Sequence, residues 1–150
     1  MKLKTTYHIL LALTFFVAVV SISQVAWTHG EDKPGPNGGP VRMPGAFHTE
    51  AVAESPVRVA IYLLDIEWKN PSIKKSSLKA SFTSKSNPTT EAICKPTTKH
   101  YVCEFPANVD LNKPGTLAVQ ASREGQKGIL VSYDTPLKLT VVDDGHGSHK

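Results

Sequence analysis

The chain of 150 residues has two cysteines, few aromatics (7%) and no long hydrophobic run beyond its first twenty residues. Each scarcity closes off a class of protein. There is no G-x-S-x-G elbow, no G-x-x-x-x-G-K loop and no Ser/His/Asp or thiol-nucleophile arrangement, so neither a serine hydrolase nor a phosphate-loop enzyme is encoded. Lys74 and Lys75 are the only adjacent basic pair, and no basic stripe with interleaved aromatics exists, so nucleic acid is set aside as a partner. No internal repeat and no helical apolar stripe is present, which argues against solenoids and bundles.

What is present begins with residues 1–28. Lys2 and Lys4, an apolar run over residues 9–20 and small residues after it make the three parts of a secretory signal. The run is shorter than the roughly 20 residues a spanning helix needs, so no membrane span is expected after cleavage. Two cleavage positions fit a small-x-small rule: after Ser23, with Ser21 upstream, or after Thr28, with Ala26 upstream. Only the second exposes His29 as the first residue. No Cys follows the run, which argues against lipid modification. Without the signal the chain carries 15 Lys plus Arg against 13 Asp plus Glu, a formal charge of +2. The expected location is the periplasm.

The exported part suffices for one domain with a modest core. Residues 29–45 form a Gly/Pro-rich arm, expected to lack regular structure because Pro34, Pro36, Pro40 and Pro44 withhold backbone donors and Gly35, Gly38, Gly39 and Gly45 permit turns. Residues 143–150, D-D-G-H-G-S-H-K, read as a polar tail. Between them, residues 46–142 show period-two alternation. Val57, Val59, Ile61 and Leu63 share one face, as do Leu78, Ala80 and Phe82; Tyr101, Cys103 and Phe105; Leu117, Val119 and Ala121; Ile129, Val131 and Tyr133; and Leu137, Leu139 and Val141. Further strands are expected near residues 47–53 and 89–94. The prolines from Pro56 to Pro136 fall between these segments. Seven to eight short strands at this spacing predict an all-β, immunoglobulin-like antiparallel sandwich, with a small closed barrel as the alternative. Trp68 can either cap the core or sit exposed.

Cys94 and Cys103 flank eight residues and, in an oxidising compartment, are expected to pair across a hairpin as a disulfide. Closing so short a loop contributes roughly 2.5 to 3 kcal/mol by the chain-entropy relation. A thiolate pair for a soft metal, joined by His100, is the alternative, although the spacing fits no compact metal-thiolate motif.

The histidines of the exported part are His29, His48, His100, His146 and His149. Imidazoles near neutral pH coordinate transition metals, and neighbouring carboxylates attract the ion. His48 and Glu50, two apart on a strand, point to one face and can chelate or simply stand in solvent. His29 can offer an amine and an imidazole at a freed terminus, His146 and His149 a weaker site, and His100 an ordinary surface group.

The stretch G-P-N-G-G-P-V-R-M-P-G-A-F-H-T-E, followed by a strand ending Y-L-L-D, resembles small periplasmic proteins and the N-terminal domains of adaptor subunits associated with heavy-metal efflux, which carry an H-G-G-x5-G-x2-H-x-E arm. The resemblance covers residues 35–65 closely and the rest as a strand pattern. It implies a periplasmic, non-catalytic role in handling copper, zinc, nickel or cobalt, in association with an efflux complex or another envelope protein, and it points to Gly38, Gly39, Gly45, His48 and Glu50. Asn37 stands where the pattern often has histidine, a position for which His29 can substitute.

Three functions are therefore carried forward. The first is a metal-handling accessory binding Cu or Zn through His29, His48 and Glu50, with His146 and His149 as auxiliaries. The second is a metal-free interaction sandwich of the envelope. The third is a copper oxidative enzyme built on an N-terminal His29, which the small chain and the lack of an aromatic platform disfavour.

Overall fold

A computed structural model describes residues 33–137. The segments carrying the expected export signal, His29, His146 and His149, and the strand expected at Leu139 and Val141, lie outside the described residues.

Two antiparallel sheets pack face to face in a β-sandwich. The first contains β1 (Val41–Arg42), β2 (His48–Ser55), β3 (Arg58–Leu64), β7 (Tyr101–Glu104) and β6 (Ile93–Pro96), in that spatial order. The second orders β10 (Val131–Thr135), β8 (Gly115–Arg123), β4 (Ser77–Thr83) and β5 (Thr90–Glu91), with β9 (Gln126–Lys127) also on β8. The alternation read from the sequence is the physical cause. Val59, Ile61 and Leu63 from β3 meet Ala80 and Phe82 from β4, Leu117, Val119 and Ala121 from β8, and Val131 and Tyr133 from β10, all buried in one core. Phe82 and Phe105 add an edge-to-face pair at 6.2 Å.

Hairpin chemistry sets the registers. Glu124 and Gly125 both take positive φ (53° and 85°) between paired Arg123 and Gln126, as a two-residue turn matched to strand twist requires. Cys94 lies directly opposite Cys103 and the two are bonded, with Cα atoms 3.9 Å apart. The expected disulfide is present, and it staples an edge strand to the core.

Four expectations change. The segment at 89–94 is two strands rather than one: β5 pairs with β4 in the second sheet, the chain crosses at Ala92, and β6 pairs with β7 in the first. Ala92 N donates to Ala80 O during the crossing (2.9 Å). Pro96 does not lie between strands but ends β6, where an edge position makes its missing N–H harmless. Ile129 is not on a strand. It stands exposed with Leu130 ahead of β10, because its N–H donates to Pro44 O (2.8 Å). Finally, the arm is not irregular throughout, since Val41 and Arg42 add β1 to β2. These short pieces bring the count among the described residues to ten.

The sheets are also tied by polar contacts. Tyr133 is fully buried; its hydroxyl donates to Thr49 O (2.9 Å) and shares a 2.6 Å bond with Thr49 Oγ1. Burial raises its pKa well above the usual phenol range. Arg42 lies over the ring, 5.2 Å from its centroid, and donates to Ser132 O across the seam.

Candidate functional site

Along β2, Thr49 and Ala51 face the second sheet, so His48 and Glu50 emerge together on the outer face of the first, as alternation requires. An outer face is ordinarily wet. Here it is covered, with Glu50 at 0% exposure and His48 at 3%. Two different structures do the covering.

The arm covers Glu50. Its G-P-N-G-G segment closes on itself, Gly35 N donating to Gly39 O (2.8 Å) and Gly38 N to Gly35 O (2.9 Å), with Gly38 at a φ of 84° that side chains resist. The closed turn aims its donors at one carboxylate. Oε1 accepts from Asn37 N (2.8 Å) and Gly39 N (3.0 Å), and Oε2 from Asn37 Nδ2 (2.8 Å). This is an anion nest in which the anion belongs to the protein itself. Side chains are sterically excluded at Gly35 and Gly39. A Cβ on Gly35 would lie 2.4 Å from Glu50 Cδ, and one on Gly39 2.2 Å from Ala51 O. Both Glu50 oxygens are therefore engaged by the arm.

The loop after β3 covers His48. Asp65 organises it: Oδ1 accepts from Lys69 N (2.7 Å) and Glu67 N (3.1 Å), and Oδ2 from Asn70 Nδ2 (2.7 Å). These bonds, led by that from Lys69, hold the Asp65 carboxyl below the usual carboxylate range. Trp68 N donates to Asp65 O (3.1 Å), and Trp68 and Asn70 both take positive φ (63° and 47°). Non-glycine residues in that region cost energy and persist only where surroundings over-determine them. Arg123 adds to the constraint, donating to Leu63 O (3.3 Å) and Asn70 O (3.0 Å). The result seats the half-buried Trp68 ring edge-on to His48, centroids 5.7 Å apart. Trp68 is thus the lid of the outer face, neither a core cap nor a free surface group.

His48 Nδ1 lies 3.2 Å from Asp65 O. A carbonyl only accepts, so Nδ1 is the donor in this hydrogen bond. His100 sits apart, in the turn before β7, its ring 4.6 Å from that of Tyr62 and its Nδ1 against Thr97 Oγ1 (3.2 Å). Tyr62 is opposite Glu50 across β3, and its hydroxyl is raised above the usual phenol range by desolvation first and then by Glu50 and Glu54.

Among the described residues no three His, Cys, Asp or Glu side chains gather as a metal cage. The structure brings His48 and Glu50 to one face as expected but assigns Glu50 to the arm. It places His100 elsewhere, and commits Cys94 and Cys103 to the disulfide, which removes the thiolate alternative. Sequence reasoning missed Asn37 as a donor, and Asp65 and Trp68 as the frame of His48. The clue to Asn37 was its place inside a tight G-P-N-G-G turn, which leaves the backbone N–H groups of two residues, Asn37 and Gly39, for a partner outside it. Comparison with protein-family models, with curated proteins and with solved structures finds no match to this chain.

Proposed function

We propose that this is an exported, periplasmic and non-catalytic β-sandwich that binds a transition metal as an accessory of metal homeostasis or efflux, with His48 as its central ligand. One observation carries the reading. His48 is held by its Nδ1 proton on a backbone carbonyl, the arrangement by which metal-binding imidazoles are oriented and their other nitrogen made a better donor. The secretory pattern of residues 1–28 and the disulfide are both compatible with an oxidising compartment. The resemblance of the arm to heavy-metal efflux proteins supports the same assignment, with Glu50 as the anchor of the arm rather than a ligand. His29, His146 and His149 stand as additional donors from the termini, and an efflux complex as the partner.

The test is calorimetric titration of the exported protein with Cu(II) and Zn(II). His48→Ala should weaken binding by at least about tenfold, and unchanged affinity would dismiss the site.

A second reading, a metal-free envelope module, draws on β6, which among the described residues ends the first sheet and leaves Ile93 70% exposed. It requires that neither ion raise the thermal midpoint, whereas binding to the native state must raise it with ion concentration.

A further inference from the structure

The exposed apolar side chains gather at one end of the sandwich. Of the five large hydrophobic residues exposed among the described residues, Met43, Ile66, Ile129 and Leu130 sit there, each between 41% and 58% exposed, and Ile93 lies elsewhere. The registers place them. His48 pairs with Leu64 at the end of the first sheet, so Met43 and Pro44 precede β2 at the end where Ile66 and the half-buried Trp68 follow β3. Ile129 N donates to Pro44 O (2.8 Å), which sets Ile129 and Leu130 beside that segment. Gly125 N donates to Lys75 O (2.9 Å) and Arg123 to Asn70 O (3.0 Å), so the β8 hairpin and the loop after β3 close the same end.

Charge says what covers these side chains. The acids at this end are spent: Asp65 on its own loop, Glu67 on Lys69 Nζ (3.1 Å) and Glu124 on Arg123 (3.2 Å). Lys74, Lys75 and Lys127 are exposed here, and among the described residues no carboxylate lies in ion-pair range of them. A two-fold contact with a second copy would set like charge against like. The apolar groups stand on projecting loops, whereas a bound peptide needs a groove or a sheet edge. Apolar tips ringed by unpaired cations match an anionic bilayer, in which the tips enter the headgroup region and the ammonium groups meet lipid phosphates. We propose that this end of the sandwich docks peripherally on an anionic lipid surface through Met43, Ile66, Ile129 and Leu130, with Lys74, Lys75 and Lys127 on the phosphates. The proposal rests on the export reading above, which sets the domain beside a membrane, and is independent of metal binding.

The experiment is co-sedimentation of the exported protein with phosphatidylcholine vesicles made with and without phosphatidylglycerol. Wild type should bind the anionic vesicles at least about tenfold more tightly than the neutral ones, and lose that excess in high salt. Ile129→Ser with Leu130→Ser should weaken binding by at least about tenfold, and Lys74→Gln with Lys75→Gln by a similar factor. Ile93→Ser, the same kind of change beside Glu91 and Glu104, should leave binding unchanged. Thermal unfolding of each variant keeps loss of fold apart from loss of docking. No preference for anionic vesicles, or full binding by the Ile129 and Leu130 variant, overturns the proposal. So does a dimer in light scattering that this variant abolishes, which would put a second copy on the patch. Cell fractionation judges export and the metal titration of His48→Ala judges metal binding, so each reading fails separately.

Discussion

Glu50 and His48 are two residues apart on one strand, on one face, and both are shut away from solvent, yet they are held in opposite ways. The carboxylate is saturated: three donors from one tight turn converge on its two oxygens. The imidazole is held through Nδ1 by a carbonyl that can only accept, beneath an aromatic ring on a loop kept in a costly conformation. A saturated buried charge does the work of a fastener, because every interaction it can make is spent on the fold. A ring oriented by one edge is how proteins prepare a ligand. The pair H-x-E therefore divides its labour, and spacing alone conceals the division.

The sharpest way to break this contrast is to remove the fastener. Glu50→Ala leaves the Asn37 and Gly39 donors facing an apolar hole, at a cost of about 3 kcal/mol. In a domain of this size that lowers the thermal midpoint by more than about 10 °C, readable by calorimetry. Proteolysis should then open the arm ahead of β1. Next in size, Cys94→Ser with Cys103→Ser removes about 2.7 kcal/mol of loop constraint at the far edge of the sheet. It should lower the midpoint without changing metal affinity, and so separates general destabilisation from loss of the site.

A smaller effect is expected at the lid. Trp68→Ala removes an aromatic contact worth roughly 1 kcal/mol, exposes His48, and should move the imidazole proton resonances toward those of a solvated ring. The smallest is a pH effect. Asp65 is held below the ordinary carboxylate range, first by the Lys69 N–H and then by Asn70 and the Glu67 N–H. A depressed acid stabilises the fold above its unfolded value, and that contribution is lost as pH falls below about 4. Denaturant midpoints measured from pH 6 downward should fall in that window for wild type, and Asp65→Asn should flatten the change. An unaltered slope would show that the loop does not depend on the carboxylate.

The sheets were legible because alternation has only two outcomes, and burial of one face chooses between them. The β3 pattern V-x-I-x-L predicts its core face residue by residue, and the Cys94 and Cys103 spacing predicts a hairpin staple. The crossing at Ala92 was not legible, since a strand that changes sheets keeps the same alternation on either side of the switch. The site was half legible. The H-x-E spacing puts two side chains on one face, but what approaches that face comes from residues 35–39 and 65–70, and long-range closure leaves no local period to read. Asn37 shows this best. Where a neighbouring pattern has histidine it looks like a missing ligand, and in the fold it is the group that binds both oxygens of Glu50.

The most direct measurement is a paired comparison of His48→Ala and Glu50→Gln, each taken through metal titration and thermal unfolding. The account predicts a crossed result: Glu50→Gln lowers the melting midpoint and keeps the metal affinity, while His48→Ala loses the affinity and keeps most of the stability. Equal loss of affinity in both variants would make Glu50 a ligand after all and contradict the division of roles on which the account stands.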